Sequence, residues 1–212
     1  MKDVYGPVNM KKTLLVDLKD NIVHGICVSN LTCLTARRMG LDDDTCHELA
    51  VAGLVHDIGK LRLSGYPYGR AQDSFAMENI KYMRMHSKMS YDILKSYDFS
   101  PFILRAVLHH HENYDGSGYP DNLKGEDIPF GARVMRVADT FTALISDRPY
   151  RKAFDIDTAM SIIIDEIHNY DMEVFIAFQK VIHGQEALDA ITQSRLLINF
   201  DVTKFIGNEE II

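Results

Sequence analysis

His110–Pro120, HHENYDGSGYP, sets two adjacent imidazoles ahead of a run of turn-forming residues, and it shares the chain with His56-Asp57 inside the stretch LVHDIGK. Imidazole and carboxylate side chains sit badly in an apolar core unless something coordinates them. Adjacent His-His and His-Asp pairs therefore point to metal ligation. Working outward, His24, His86 and Asp139 add side chains of the same chemistry, so the candidate ligand set is His24, His56, Asp57, His86, His110, His111 and Asp139. Neutral imidazoles with an Asp able to bridge suit a pair of cations about 3.5–4 Å apart, the spacing of metal-assisted phosphodiester hydrolysis. The reading is a metallohydrolase.

Composition sets the frame. The 212 residues are 46% hydrophobic and 25% charged, the balance of an ordinary globular chain with a real core. No apolar run approaches the roughly 18 residues of a membrane span, and the opening MKDVYGPVNMKK has no hydrophobic stretch behind it, so a cytoplasmic protein is expected. Cys27, Cys33 and Cys46 lack CxxC spacing and read as buried free thiols. A net charge of −7 argues against broad binding to nucleic-acid polymers or anionic membranes. A nucleotide would need metal ions or a local positive patch.

Apolar residues recur mostly at spacings of three and four, an all-α pattern. One helix is expected over residues 20–39, with Ile22, Val23, Ile26, Cys27, Leu31 and Leu34 as its apolar stripe, His24 near its start and Gly40 at its end. Asp42 to Asp44 cap a second helix that delivers His56 at its C-terminus. Leu61 to Gln72 reads as a loop, followed by one helix ending near His86 and another around Tyr91–Tyr97. Ser100-Pro101 opens a helix leading to His109, His110 and His111. Asp115 to Pro120 is turn chemistry, and Ala132–Leu144 is helical again with Asp139 on it. Helices are expected over Asp157–His168, Met172–His183 and Gln185–Thr192. LLINFDVTKFIGNEEII, residues 196–212, has strand-like or partner-binding character. The expected divisions are an N-terminal segment 1–19, a catalytic domain 20–183, and a C-terminal helix and tail 184–212. The fold class is an all-α bundle of about seven or more helices with the metal centre in its core.

The ligand order His, His-Asp, His, His-His, Asp resembles the HD-domain phosphohydrolase superfamily, and specifically its HD-GYP branch, over roughly residues 20–180. The most specific portion is His110-His111-Glu112-x-x-Asp115-Gly116-x-Gly118-Tyr119-Pro120, followed by Gly125, Ile128-Pro129, Ala132-Arg133 and Val137-Ala138-Asp139. Asp147-Arg148-Pro149-Tyr150-Arg151 is similar to the family's closing signature. The resemblance implies hydrolysis of cyclic di-GMP, or a related cyclic dinucleotide, to the linear dinucleotide or on to GMP at a di-iron or di-manganese centre. Some members use a third metal. It also implies that the seven residues above are ligands and that Asp57 bridges two ions. Asp20, four residues before His24, is a candidate for a third ion, against the plainer reading of an exposed acid near a helix start.

Two cations lower the pKa of a bridging water to give hydroxide near neutral pH and stabilise charge on the leaving oxygen, so no protein nucleophile is required. Lys60, one turn past His56-Asp57, is the candidate to protonate the departing ribose oxygen or neutralise the phosphate; the alternative is a solvated lysine. Arg148 and Arg151 form either a fork for the second phosphate or structural ion pairs with Asp147 or Asp155. Tyr119 either meets a guanine or phosphate or wedges its loop. Glu112 reads as a residue that orients a His or binds the loop, and His109 as no ligand. His47, His168 and His183 are ordinary surface histidines.

The segment Leu61–Met85 departs from the family, so substrate choice is open there; Ser90 stands where Gly is frequent, and Phe141-Thr142-Ala143 replaces Phe-Asp-Ala. Only 23 residues precede His24, so control is expected from a separate sensor or regulatory partner, from expression, or from the C-terminal stretch. Alternatives are a phosphohydrolase of the wider superfamily acting on another nucleotide, and a module that binds a cyclic dinucleotide without cleaving it.

Overall fold

A computed structural model describes residues 10–63, 76–148 and 151–197. Helix α1 spans Met10–Arg38, α2 Asp43–Val55, α3 Lys60–Leu63, α4 Ala76–Leu94, α5 Pro101–His109, α6 Phe130–Leu144, α7 Ile156–Asp165, α8 Met172–Ile182 and α9 Gln185–Leu196. Short 3-10 turns cover Gly125–Asp127 and Ile167–Asn169. Among the described residues there is no strand, only one bridge between Arg148 and Arg151, so the all-α class holds. Among them, too, no helix is long and apolar enough to cross a membrane.

Local signals place the helix ends. The Asp42 carboxylate accepts the Thr45 N–H at 2.8 Å to start α2, and the Ser100 hydroxyl accepts the Ile103 N–H at 3.2 Å ahead of Pro101 to start α5. Each such cap is worth about 1 kcal/mol. Gly40, at φ +80°, ends α1 in the left-handed conformation that costs glycine little. Three expectations shift. The first helix starts at Met10, so His24 lies mid-helix: the polar residues around Asp20 coat a helix surface and do not open one. Ile22 leaves the proposed stripe and is exposed. The two helices drawn around His86 and Tyr91–Tyr97 are one, α4, which ends at Leu94, and Ser87 and Ser90 at their junction turn inward and are buried.

Two clusters form the core. The larger joins Cys27, Val28 and Leu31 of α1, Leu49 of α2, Val137 and Phe141 of α6, Phe178 of α8 and Ile191 of α9. Phe141 and Phe178 meet edge-on with centroids 5.3 Å apart. The smaller joins Ala52, Leu94, Ile103, Val107 and Met135 from α2, α4, α5 and α6. Helix α6 feeds both, and helices α1, α2, α4, α5 and α6 are also those that carry or precede the candidate ligands. The expected division at 19/20 falls inside α1, and α9 packs on α1 as part of the larger cluster. Of Leu61–Gln72, residues 61–63 continue α3 and the rest lies outside the described residues, as do 198–212 of the tail.

Close backbone approach brings the ligand-bearing segments together. A Cβ on Gly59 would overlap the His86 carbonyl oxygen and lie 2.6 Å from the Ser90 nitrogen, while the Gly59 N–H donates to Ser90 Oγ at 2.9 Å. The HDIGK turn therefore lies directly on α4, and the serine at position 90 has a use. Gly59→Ala forces that contact apart. The expected cost is about 1–3 kcal/mol, read as a lower thermal midpoint, and stability equal to wild type would contradict the contact.

Candidate metal centre

Five imidazoles and two carboxylates converge in the interior. His24 comes from α1, His56 and Asp57 from the end of α2, His86 from α4, His110 and His111 from the end of α5, and Asp139 from α6. All seven predicted ligands fall in overlapping groups: His24, His56 and Asp57; His56, His110 and Asp139; and His86, His110 and His111. Six are buried and His111 is half-buried. Asp57 faces both ways: Oδ2 lies 3.7 Å from His24 Nε2 and 3.3 Å from His56 Nε2, while Oδ1 lies 3.2 Å from His86 Nε2. Asp139 Oδ1 is 2.9 Å from His24 Nε2 and 3.6 Å from His56 Nε2.

The helix ends orient the rings. The Nδ1–H groups of His56 and His110 donate to the carbonyls of Gly53 and Val107 at 2.8 and 2.6 Å, and that of His86 donates to the Met83 carbonyl. Each bond leaves Nε2 as the ring atom aimed into the centre, the orientation a metal ligand needs. His86 Nε2 then stands 3.3 Å from His110 Nε2 and 3.0 Å from His111 Nε2. The His86 and His110 rings, whose Nδ1–H groups are spent on carbonyls, then face each other with two lone pairs, which repel unless a cation joins them. His56 Nε2 and Asp57 Oδ1 are buried without a hydrogen-bond partner, a costly arrangement in a dry interior. The residues fit divalent cations, and a set of imidazole and carboxylate without thiolate suits iron, manganese or zinc.

Electrostatics agree. Burial alone would raise the Asp57 carboxyl, but His56 and Lys60 hold it well below the usual carboxylate range; His24 and His56 do the same for Asp139. Burial pushes His24, His86, His110 and His111 down, leaving neutral rings. His56 is the exception. Burial would lower it, but the charges of Asp57 and Asp139 hold it up at about 10. A cation entering the centre must displace that proton. Metal affinity is expected to rise about tenfold per pH unit between about pH 6 and 9, read by manganese titration against a competing chelator; a flat profile would contradict the displaced proton.

The other candidates divide. Lys60 Nζ lies 2.5 Å from Asp57 Oδ2, tied to the centre as no solvated lysine would be. Tyr119 stacks on His111 with centroids 4.8 Å apart and planes at 25°. Burial and the Asp139 charge raise its hydroxyl far above the usual range, so it stays protonated. Arg151 departs from the phosphate fork: its guanidinium donates to the Leu144 and Ala143 carbonyls at 2.8 and 2.9 Å and lies over Phe154. It closes the C-terminus of α6, where orphan carbonyls need donors. Arg148 pairs with it through the main chain only, among the described residues, and Asp147 turns instead to Lys152. Glu112 accepts the N–H groups of Asp121 and Leu123 and so binds the loop. His109 bonds Asp121 and the Arg105 carbonyl, apart from the ligand groups, and Asp20 is exposed outside them.

Two residues escaped the sequence reading. Arg136 donates to Asn113 Oδ1 through Nε and Nη2 at 3.0 and 2.8 Å and to Thr140 through Nη1, clamping the His111–Tyr119 loop onto α6. Its position three residues before Asp139, on the same helix face, was an available signal. The Arg84 guanidinium lies 5.2 Å from the Tyr119 ring centroid. That contact joins positions 35 apart, and no local pattern announces it.

A helical bundle that gathers imidazoles and carboxylates from five helices around one interior point has the arrangement of a domain that could hold metal in its core. The chain belongs to the HD domain family, whose model matches residues 8–174, and the signature from His110 to Pro120 is that of the HD-GYP branch. It is 32% identical over 161 residues to the cyclic di-GMP phosphodiesterase PA4108 of Pseudomonas aeruginosa, covering 76% of this chain and 39% of that protein. It is 33% identical over 163 residues to the 3'3'-cGAMP-specific phosphodiesterase 3 of Vibrio cholerae, covering 76% and 35%. The chain thus spans well under half the length of these curated relatives. The solved structure of Bd1817, an HDG"Y"P protein from Bdellovibrio bacteriovorus, superposes with a TM-score of 0.63 over 78% of this chain and 54% of that one at 21% identity, a likeness of fold.

Proposed function

We propose that this domain is a metal-dependent phosphodiesterase that hydrolyses a cyclic dinucleotide, cyclic di-GMP or a relative such as 3'3'-cGAMP, to the linear dinucleotide and on to GMP or its counterpart. The observation that carries the reading is the division of Asp57, one oxygen toward His24 and His56 and the other toward His86. In it, His24, His56, Asp139 and Asp57 hold one divalent cation; His86, His110, His111 and Asp57 hold a second. Iron or manganese is the proposed metal. When bound, such a pair supplies Lewis acidity toward a phosphodiester and its attacking water. Lys60, beside Asp57, carries the proton for the departing ribose oxygen. Tyr119, kept protonated at the mouth, donates a hydrogen bond to substrate. The relatives named for cyclic di-GMP and 3'3'-cGAMP support the substrate class. A net charge of −7 leaves these metals and a few cations to hold an anionic substrate, so a nucleic-acid polymer is not the ligand.

The test is anaerobic purification, elemental analysis for iron, manganese and zinc, and incubation of that same sample with cyclic di-GMP and 3'3'-cGAMP, products followed by chromatography. Two metals per chain with loss of a cyclic dinucleotide supports the proposal. A metal-loaded protein that leaves both substrates intact overturns it.

A further inference from the structure

We infer that Arg84 is the specificity residue that holds the second, non-scissile phosphate of a two-phosphate substrate. The inference rests on the cyclic-dinucleotide reading and deepens it. A cyclic dinucleotide carries two phosphodiester charges, and a metal pair that engages one leaves the other to be met by the protein.

The cations near the centre can be sorted by what already occupies them. Lys60 is on Asp57. Arg136 spends Nε, Nη1 and Nη2 on Asn113 and Thr140. Arg151 is spent on main-chain carbonyls, and Arg133 on Asp171 at 2.6 Å. Arg84 differs. Its side chain is exposed, and among the described residues its contact is the Tyr119 ring. A guanidinium resting on an aromatic face keeps its in-plane N–H donors available for an anion.

Position ties it to the centre from two directions. Arg84 stands two residues before His86 on α4, so the helix that delivers a ligand also delivers the cation. The ring beneath it stacks on His111 at 4.8 Å. The order Arg84, Tyr119, His111 therefore runs from solvent to the centre. Arg84 also belongs to Leu61–Met85, the segment whose sequence departs from the family. A substrate-reading role explains why a residue there reaches the mouth of the site.

The test compares wild type with Arg84→Ala and Arg84→Lys on cyclic di-GMP, which has two phosphates, and on bis(4-nitrophenyl) phosphate, which has one. Exposure of Arg84 makes loss of folding no concern. Arg84→Ala is expected to raise KM and the calorimetric Kd for cyclic di-GMP about tenfold with kcat within about twofold, Arg84→Lys to recover part of that loss, and both to leave bis(4-nitrophenyl) phosphate hydrolysis unchanged. If wild type cleaves cyclic di-GMP and Arg84→Ala leaves KM and Kd unmoved, the inference is overturned while the hydrolytic reading stands. Binding without cleavage, weakened by Arg84→Ala, sustains the inference and retires the hydrolytic reading. Where the protein takes 3'3'-cGAMP in place of cyclic di-GMP, the same comparison is read on that substrate, and a protein that neither binds nor cleaves either dinucleotide overturns both.

Discussion

Asp57→Asn protein is expected to hydrolyse its cyclic dinucleotide about a thousandfold more slowly than wild type, a loss of about 4 kcal/mol of transition-state stabilisation. The substitution keeps size and shape but removes the charge shared by both halves of the centre. Asp57 oxygens face His56 at 3.3 Å and His86 at 3.2 Å, so one change acts on both. Bound metal, measured by elemental analysis, is expected to fall by about half or more, because an amide is a poorer ligand and cannot bridge as a carboxylate does. Lys60 loses its anion at the same time. Activity within tenfold of wild type, with metal content retained, would mean that Asp57 joins no metal pair. Circular dichroism of the variant separates this loss from unfolding.

Removing metal with a chelator is expected to lower the thermal midpoint by roughly 10 °C. Cations at about 1,000 times their dissociation constant stabilise a fold by about 4 kcal/mol, and for a chain of this size each kcal/mol moves the midpoint by about 2–4 °C. The structural reason is specific. The His86 and His110 Nε2 atoms lie 3.3 Å apart, and His56 Nε2 and Asp57 Oδ1 find no hydrogen-bond partner in the protein, so a cation is what would satisfy them. Metal held there would tie α1, α2, α4, α5 and α6 at one point, so its loss is expected to loosen helices far apart in sequence. Readdition of manganese or ferrous iron is expected to restore the midpoint. A midpoint unchanged by chelation, in protein shown to have lost its metal, would assign the centre no part in stability.

What the sequence revealed, and what it hid, follows from the range of each interaction. The cluster of candidate ligands was legible because metal chemistry permits few residue types, and because His-His and His-Asp pairs at helix ends serve few other purposes. Helix ends at Ser100, Asp42 and Gly40 were legible because capping is local. The continuity of α4 past His86 was hidden, since what holds Ser90 inside is the Gly59 N–H that donates to its Oγ, a contact across the fold. Arg151 misled for a related reason: its partners are the carbonyls of Leu144 and Ala143, and main-chain acceptors leave no mark in a sequence. Arg84 and Tyr119 are joined across the fold by a contact that only tertiary structure creates.

Anomalous diffraction from crystals of manganese-loaded or iron-loaded protein would locate the cations themselves. Two peaks about 3.5–4 Å apart are expected, one among His24, His56 and Asp139, the other among His86, His110 and His111, with Asp57 between them. A single peak, or metal bound away from Asp57, would contradict a bridged pair and with it the proposed chemistry.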